Sequence, residues 1–367
     1  MRVETLTAER YRNLAPLSLS FSTGINVICG KNAQGKTNLL EAVWLFTGGH
    51  SFRGGKDGEL VRFGEDRANL TLGFFSEERE QQMELAIESG KRRFSVNGVE
   101  KRSAAEVVGK FCGVIFSPEH LSLVKSGPAM RRGFLDGALC QSKPGYAKDY
   151  VVYQRTLQQR NSLLKEIAKN PALQSTLEVW NQFLSVRGTK VIRQRQEIIR
   201  QLAPTAEEIY SGLSQGKESI GIGYSSTVSR EEEITEDLFL QRLAETEKSD
   251  ILTGYTSVGP HRDDMDILID DISARLYGSQ GQQRSAVLAL KLAEAAVLEQ
   301  RTGEQPVVLL DDVMSELDAD RQDYLLNHVR DRQIILTCCD PNTIAGLRGG
   351  ALFFVEGGTV SPGREKN

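Results

Sequence analysis

The chain has 367 residues, 40% apolar and 26% charged, and a formal net charge of −4. That composition fills at least one large core and excludes wholesale disorder. Charge is uneven: residues 128–212 carry thirteen Lys/Arg against seven Asp/Glu, a net of +6, which leaves −10 for the remainder.

In chain order, the start Met1–Glu9 is partly acidic and has no apolar h-region, so no signal peptide is expected. No stretch approaches the ~18 apolar residues of a membrane span, and no membrane partner is expected. Val3–Ala8 and Leu17–Phe21 read as short strands around the basic turn Arg10-Tyr11-Arg12-Asn13. Ile25–Cys29 is a short apolar run read as a buried strand, and Asn38–Phe46 as the helix after it. Between them Gly30-Lys31-Asn32-Ala33-Gln34-Gly35-Lys36-Thr37 gives the full G-x-x-x-x-G-K-[ST] pattern in its strand–loop–helix setting. Its glycines let successive N–H groups point into one concavity, and the helix adds its unpaired N-terminal N–H groups. Lys36 then reaches the β- and γ-phosphates of ATP, and the Thr37 hydroxyl ligates Mg²⁺.

After the polar, Gly-rich stretch His50–Gly58, residues 68–98 alternate apolar and polar and end in Asn97-Gly98, the signature of an antiparallel meander. Val107–Phe116 supplies a further core strand. From residue 128 the period becomes helical, with Leu157, Leu164 and Ala168 on one helix and Trp180, Leu184, Val191, Ile198 and Leu202 on the next. Asn170-Pro171 separates the two. Ile220–Tyr224 resumes strand character, 230–248 reads as helix and 250–271 as loop. A helix over 282–301 precedes two apolar strands, 306–310 and 333–338.

Val307–Leu310 ending in Asp311-Asp312 is a Walker B arrangement, an apolar strand next to the P-loop strand that delivers a carboxylate to the Mg²⁺ shell. Asp311 serves the metal and Asp312 is the base that activates water. Met314–Asp318 matches the D-loop pattern of ABC-type ATPases. Ser279-Gln280-Gly281-Gln282 resembles their signature, in which a serine hydroxyl, a glycine N–H and a helix N-terminus bind the ATP held by a second subunit. Without its neighbours the same segment would be a capped helix after a Gly/Ser turn. Walker A and Walker B lie some 275 positions apart, so the ATPase core is assembled from both chain ends around an inserted lobe.

Five cysteines are odd in number and make no C-x-x-C pair, which fits a reduced, cytoplasmic protein. The four histidines lack metal-ligand spacing, so Mg²⁺ on oxygen ligands is the metal expected.

The whole pattern resembles the RecF family of recombination-repair ATPases, which are related to SMC-type heads. The match runs through Arg10–Asn13, Gly30–Thr37, His50–Arg53, Phe116–Glu119, Pro128–Asp136, Thr256–Asp263, Gly278–Arg284 and Leu309–Arg321. It implies an α/β fold: an ABC/SMC-head-type P-loop ATPase core with an antiparallel meander and an inserted helical lobe. The expected division is 1–120 with 250–367 as core, and 121–249 as the mainly helical lobe. The resemblance further implies ATP and Mg²⁺ as cofactors, dimerisation across two shared ATP sites, and slow, DNA-stimulated hydrolysis. Implied partners are duplex, gapped or single-stranded junction DNA, with RecO and RecR partners that help to load RecA. The alternative class is the nucleotide-binding subunit of an ABC transporter.

Site residues follow by position. Gly30 to Thr37, Asn38, Ser279, Gly281 and Gln282 hold the nucleotide; Arg53 contacts its phosphates or base. Thr37 and Asp311 hold the metal, and Lys36 and Asp312 are catalytic. Where the superfamily has a switch histidine, either Thr337 or Asp340 substitutes, and Glu119 is the candidate for the Q-loop sensor. Candidates for DNA contact are Arg187, Lys190, Arg193 and Arg195 on the basic helix; Arg131 and Arg132 are either DNA-facing or structural.

Overall fold

The structure is a computed structural model that describes residues 1–230, 233–339 and 350–363. It divides into two compact units, Met1–Leu121 with Val287–Asn367, and Ser122–Ala286.

The first unit opens with β1 (Arg2–Glu9), β2 (Leu17–Ser20), β3 (Ile25–Cys29) and helix α1 (Lys36–Trp44). The meander follows as β4 (Arg67–Ser76), β5 (Arg79–Glu88), β6 (Lys91–Val96) and β7 (Val99–Lys101), then β8 (Gly113–Phe116). Period-2 patterning explains the meander: Ala68, Leu70, Leu72 and Phe74 alternate inward along β4. Asn97 and Gly98 turn β6 into β7 with φ of 51° and 76°, the left-handed pair that a two-residue hairpin requires. These strands form one antiparallel sheet, ordered β2-β1-β4-β5-β6-β7.

The second unit holds α2 (Ser122–Lys125), α3 (Pro128–Ser142), α4 (Tyr146–Ile167), α5 (Leu177–Ser214), β9 (Ile220–Ser225), α6 (Glu236–Glu245) and α7 (Glu247–Thr253). It continues through β10 (Asp264–Ile269), β11 (Ile272–Ser273) and α8 (Ala274–Tyr277) to the start of α9 (Gln280–Thr302). Leu184, Val191, Ile198 and Leu202 form the buried stripe of α5, as their spacing requires. Gly188 lets α6 approach: a Cβ there would lie 2.3 Å from the Phe239 ring. Two expectations are corrected. Residues 250–286 belong to this unit and not to the core, because β10 pairs with β9 along its length and closes a three-stranded sheet. The span read as one helix over 230–248 is instead α6 and α7, the first capped by the Thr235 side chain.

The first unit resumes with β12 (Val307–Leu310), α10 (Ala319–Val329), β13 (Ile334–Cys338), β14 (Gly350–Glu356) and β15 (Thr359–Pro362). These join β3 and β8 in a sheet ordered β15-β14-β3-β13-β12-β8, parallel except at β15. Every residue of the central strands β12 and β13 is buried, the mark of a parallel sheet covered on both faces, and so is every residue of the end strand β8. Leu39, Leu40, Ala42 and Val43 of α1 share one apolar core with both sheets. Placing β13 between β3 and β12 corrects the expectation that the Walker B strand lies next to the P-loop strand.

Candidate active site

The loop Gly30–Gly35 leaves the carboxyl end of β3 and turns into α1, whose first turn no side chain caps. Gly35 has φ of 115°, which an L side chain avoids, and Ala33 sits at φ 63°. At Gly30 a Cβ would lie 2.4 Å from the Val355 carbonyl oxygen. The β14–β15 turn braces the loop, with Gly357 N–H donating to Gln34 Oε1 (2.6 Å) and Gly358 N–H to the Gln34 carbonyl (3.1 Å). Lys36 is buried, and its ammonium donates to the Gly30 and Lys31 carbonyls at 2.7 and 3.0 Å.

The two acids at the end of β12 occupy distinct settings. Asp311 Oδ1 accepts from the hydroxyls of Thr37 (2.9 Å) and Thr337 (3.0 Å), so Walker A meets Walker B directly through Thr37, and the intervening strand β13 adds a second hydroxyl to the same carboxylate. Burial pushes the Asp311 carboxyl above its ordinary range; the two hydroxyls pull it back, and the charges of Glu119 and Asp312 push it further up. A buried acid beside the Thr37 hydroxyl is a place where a hard, oxygen-seeking cation fits. Among the described residues no group of three or more His, Cys, Asp or Glu could enclose a metal, so its remaining ligands would come from phosphate and water. Asp312 takes φ of 52°, a left-handed conformation that aspartate tolerates, and its N–H donates to Thr337 Oγ1 (2.9 Å). Of the alternatives for the switch position, Thr337 lies within this network; Asp340 falls outside the described residues.

A hub that the sequence reading did not single out sits behind the loop. Glu41, wholly buried on α1, accepts from Tyr11 (2.7 Å), twice from Arg12 (2.9 Å each) and from Ser51. Burial alone would raise this carboxyl, but the bonds from Arg12, Ser51 and Tyr11 bring it below the usual carboxylate range. The basic turn and the His50–Arg53 run are thereby tied to the P-loop helix. Arg53 donates to Asn38 Oδ1 (2.7 Å), and Asn38 to Asn13 Oδ1 (2.7 Å).

In the second unit, Ser279 and Gln282 form a capping box: Ser279 N–H donates to Gln282 Oε1 (2.7 Å) and Gln282 N–H to Ser279 Oγ (3.2 Å). The serine oxygen thus acts as an acceptor, and its own proton remains to be donated. Gly281 follows in the first turn of α9.

The basic candidates divide. Arg195 is fully buried and paired with both Asp136 oxygens (2.8 and 2.9 Å). Arg131 is buried against Asp264 (2.7 and 2.8 Å). Neither can meet a DNA phosphate, so both are removed from the DNA-facing set. Lys190 and Arg193 are exposed on α5, Arg187 is half-buried there, and half-buried Arg132 donates to the Asp263 carbonyl (2.9 Å).

Residues 2–351 match the family model of the RecF/RecN/SMC N-terminal domain. A DNA replication and repair protein RecF from Agathobacter rectalis is 40% identical over 340 residues, 92% of each chain. The chain belongs to the RecF family. A solved structure of the recombination mediator protein RecF with ATP, from the RecFOR pathway, superposes with a TM-score of 0.93 at 35% identity, covering 99% of this chain and 97% of that one. An SMC head bound to the C-terminal winged-helix domain of ScpA shares the fold alone, with a TM-score of 0.57 at 15% identity over 100% and 98% of the two chains. The fold is therefore that of an ABC/SMC-type head, with its meander and inserted unit. Among the described residues no helix is long and apolar enough to cross a membrane, and a transporter subunit is not the reading these relatives favour.

Proposed function

We propose that this chain is an ATP-dependent, DNA-binding recombination mediator. The observation that carries the reading is the Thr37–Asp311 bond, Walker A to Walker B through their side chains, in a chain so similar to RecF with ATP. In this reading the loop N–H groups and Lys36 hold the β- and γ-phosphates, and Asn38 and Arg53 flank them. Thr37 and Asp311 hold Mg²⁺, which when bound neutralises developing phosphate charge. Asp312, presented by its left-handed backbone, accepts a proton from the attacking water. Its carboxylate also accepts from the Ser315 hydroxyl (3.2 Å), which limits its freedom. Glu119 and Thr337 report the state of the γ-phosphate to the rest of the sheet.

Ser279, Gly281 and Gln282 complete the phosphate cage of a second copy, so ATP binding drives dimerisation by linkage. Arg187, Lys190, Arg193 and Arg132 supply phosphate contacts to gapped or junction DNA, with affinity that falls steeply as salt rises. Slow, DNA-stimulated hydrolysis releases the clamp, and RecO- and RecR-type partners act with it to load RecA in the cytoplasm.

The test is molecular mass in solution. Wild-type chain is expected to double its mass on ATP, whereas Ser279→Arg binds ATP yet stays monomeric by light scattering. A Ser279→Arg protein that still dimerises on ATP would remove the signature from the scheme.

Cys339 gives an independent check on where the phosphates lie. It is the one exposed thiol among the described residues; it donates to Asn32 Oδ1 (3.0 Å) and accepts from Lys36 Nζ (3.6 Å). Alkylation with N-ethylmaleimide is expected to block ATP binding at least tenfold, with ATP protecting and Cys339→Ser insensitive. Unaltered binding by protein alkylated at Cys339 would place the nucleotide elsewhere.

A further inference from the structure

Strands β8 and β12 end side by side: Phe116 stands level with Leu310, and the Asp311 N–H donates to the Phe116 carbonyl (2.8 Å). The chain leaving β8 is therefore delivered to the Walker B acids. After Ser117 it makes a single turn of 3₁₀ helix, Pro118–Leu121, which carries Glu119. Glu119 is exposed, yet its charge is felt at Asp311, whose carboxyl it pushes up. An exposed glutamate on a one-turn helix has no packing of its own to hold it. What holds this turn is the next residue.

His120 Nδ1 accepts from the Ser117 N–H (3.0 Å), and the His120 N–H donates to the Ser117 carbonyl (3.0 Å). A side chain three residues into the turn thus satisfies the N–H that precedes it, the place in a capping box where glutamate or glutamine is usual. Pro118, between them, needs no N–H at the first helical position. A backbone N–H can only donate, so Nδ1 is the acceptor and the proton of the neutral ring sits on Nε2. The Ser117 hydroxyl, 3.1 Å from Nδ1, is then a second donor to the same nitrogen. Enclosure by protein and the Lys291 ammonium push the His120 pKa down to about 3, which keeps the ring in this form. A glutamate here would add a fourth carboxylate beside Glu119, Asp311 and Asp312. The neutral imidazole makes the same bond without one.

We propose that His120 is a positioning residue of the ATPase site: by capping the turn at Ser117 it holds the Glu119 carboxylate on the Walker B side, where Glu119 reports on the γ-phosphate. This rests on the ATPase reading of the site and adds the device that fixes an otherwise free acid. His120 itself touches no nucleotide. Without the cap, Glu119 swings with its turn, and a misplacement of ~1 Å in such a site costs up to about 10² in rate.

The experiment measures steady-state ATP turnover and, separately, hydrogen exchange over residues 113–121. It compares the full chain with His120→Leu, His120→Gln, Glu119→Gln, the double variant Glu119→Gln with His120→Leu, and Lys36→Ala. His120→Leu is expected to lower kcat at least about tenfold, with KM for ATP within about twofold, and to speed exchange at Ser117. His120→Gln, which returns an acceptor to the third position of the turn, is expected to recover both. On the Glu119→Gln background, His120→Leu is expected to cost less than about twofold more, because a residue that acts through another has nothing left to act on. Wild-type kcat in His120→Leu overturns the positioning role, and so does an undiminished loss on the Glu119→Gln background. A His120→Gln protein with exchange restored and turnover still low overturns it too. Unimpaired turnover in Lys36→Ala would instead overturn the ATPase reading of the loop, and this role with it.

Discussion

Lys36→Arg is expected to lower ATP turnover at least a hundredfold, with or without DNA, as read by phosphate release under saturating ATP. The ammonium occupies a seat made by two carbonyls of its own loop, at 2.7 and 3.0 Å, and is buried there. A compact point charge fits that seat; a planar guanidinium, with its donors in a fixed fork, does not. In phosphoryl transfer the protein contributes chiefly positioning and charge stabilisation, and one misplaced donor in such a site costs about 10²–10³ in rate. Binding should suffer less than turnover, because the loop N–H groups and the helix terminus remain. Turnover by Lys36→Arg within a few-fold of wild type would refute the assignment of this loop to catalysis.

Much of this arrangement was legible in the residues because two local rules agreed at each point. Gly35 stands where the backbone turns left-handed, and the apolar run Val307–Leu310 ends in acid where a buried strand reaches the sheet edge. The hairpin at Asn97-Gly98 and the stripe of α5 were readable for the same reason: turn chemistry and period are local properties. What escaped was non-local. Nothing near Glu41 announces that Tyr11, Arg12 and Ser51 converge on it, and nothing in β13, whose Thr337 was already a candidate for the switch position, announces that this strand lies between the P-loop strand and the Walker B strand. The extent of the second unit was misjudged because strand pairing joined β9 to β10 across the intervening helices.

The burial of Arg195, by contrast, follows from a local property, its phase on the helix. Arg195 lies four residues after Val191 and three before Ile198, squarely on the buried stripe, whereas Lys190 and Arg193 lie off it and are exposed. A basic helix is therefore not a uniformly basic surface. Its charges must be sorted by the same period that identifies its core.

Asp136→Ala is accordingly expected to be the most damaging single change in the second unit, lowering stability by about 3–5 kcal/mol in urea denaturation. Arg195 is wholly buried, and both its pairing bonds go to this one carboxylate. Burial works against the guanidinium charge, but Asp136 beside it, with Tyr224 and Tyr146, holds the Arg195 pKa well above its ordinary value. Removing the acid strands that charge, and it also deprives the Tyr146 hydroxyl of its 2.6 Å acceptor. The damage would come from an orphaned charge and not from a lost attraction. Asp136→Leu combined with Arg195→Met, which deletes both ions, should therefore recover most of the loss. A single mutant within about 1 kcal/mol of wild type would show that water reaches Arg195. A double mutant no better than the single would show that the pair sets the register of α3 against α5, a role that apolar side chains cannot replace.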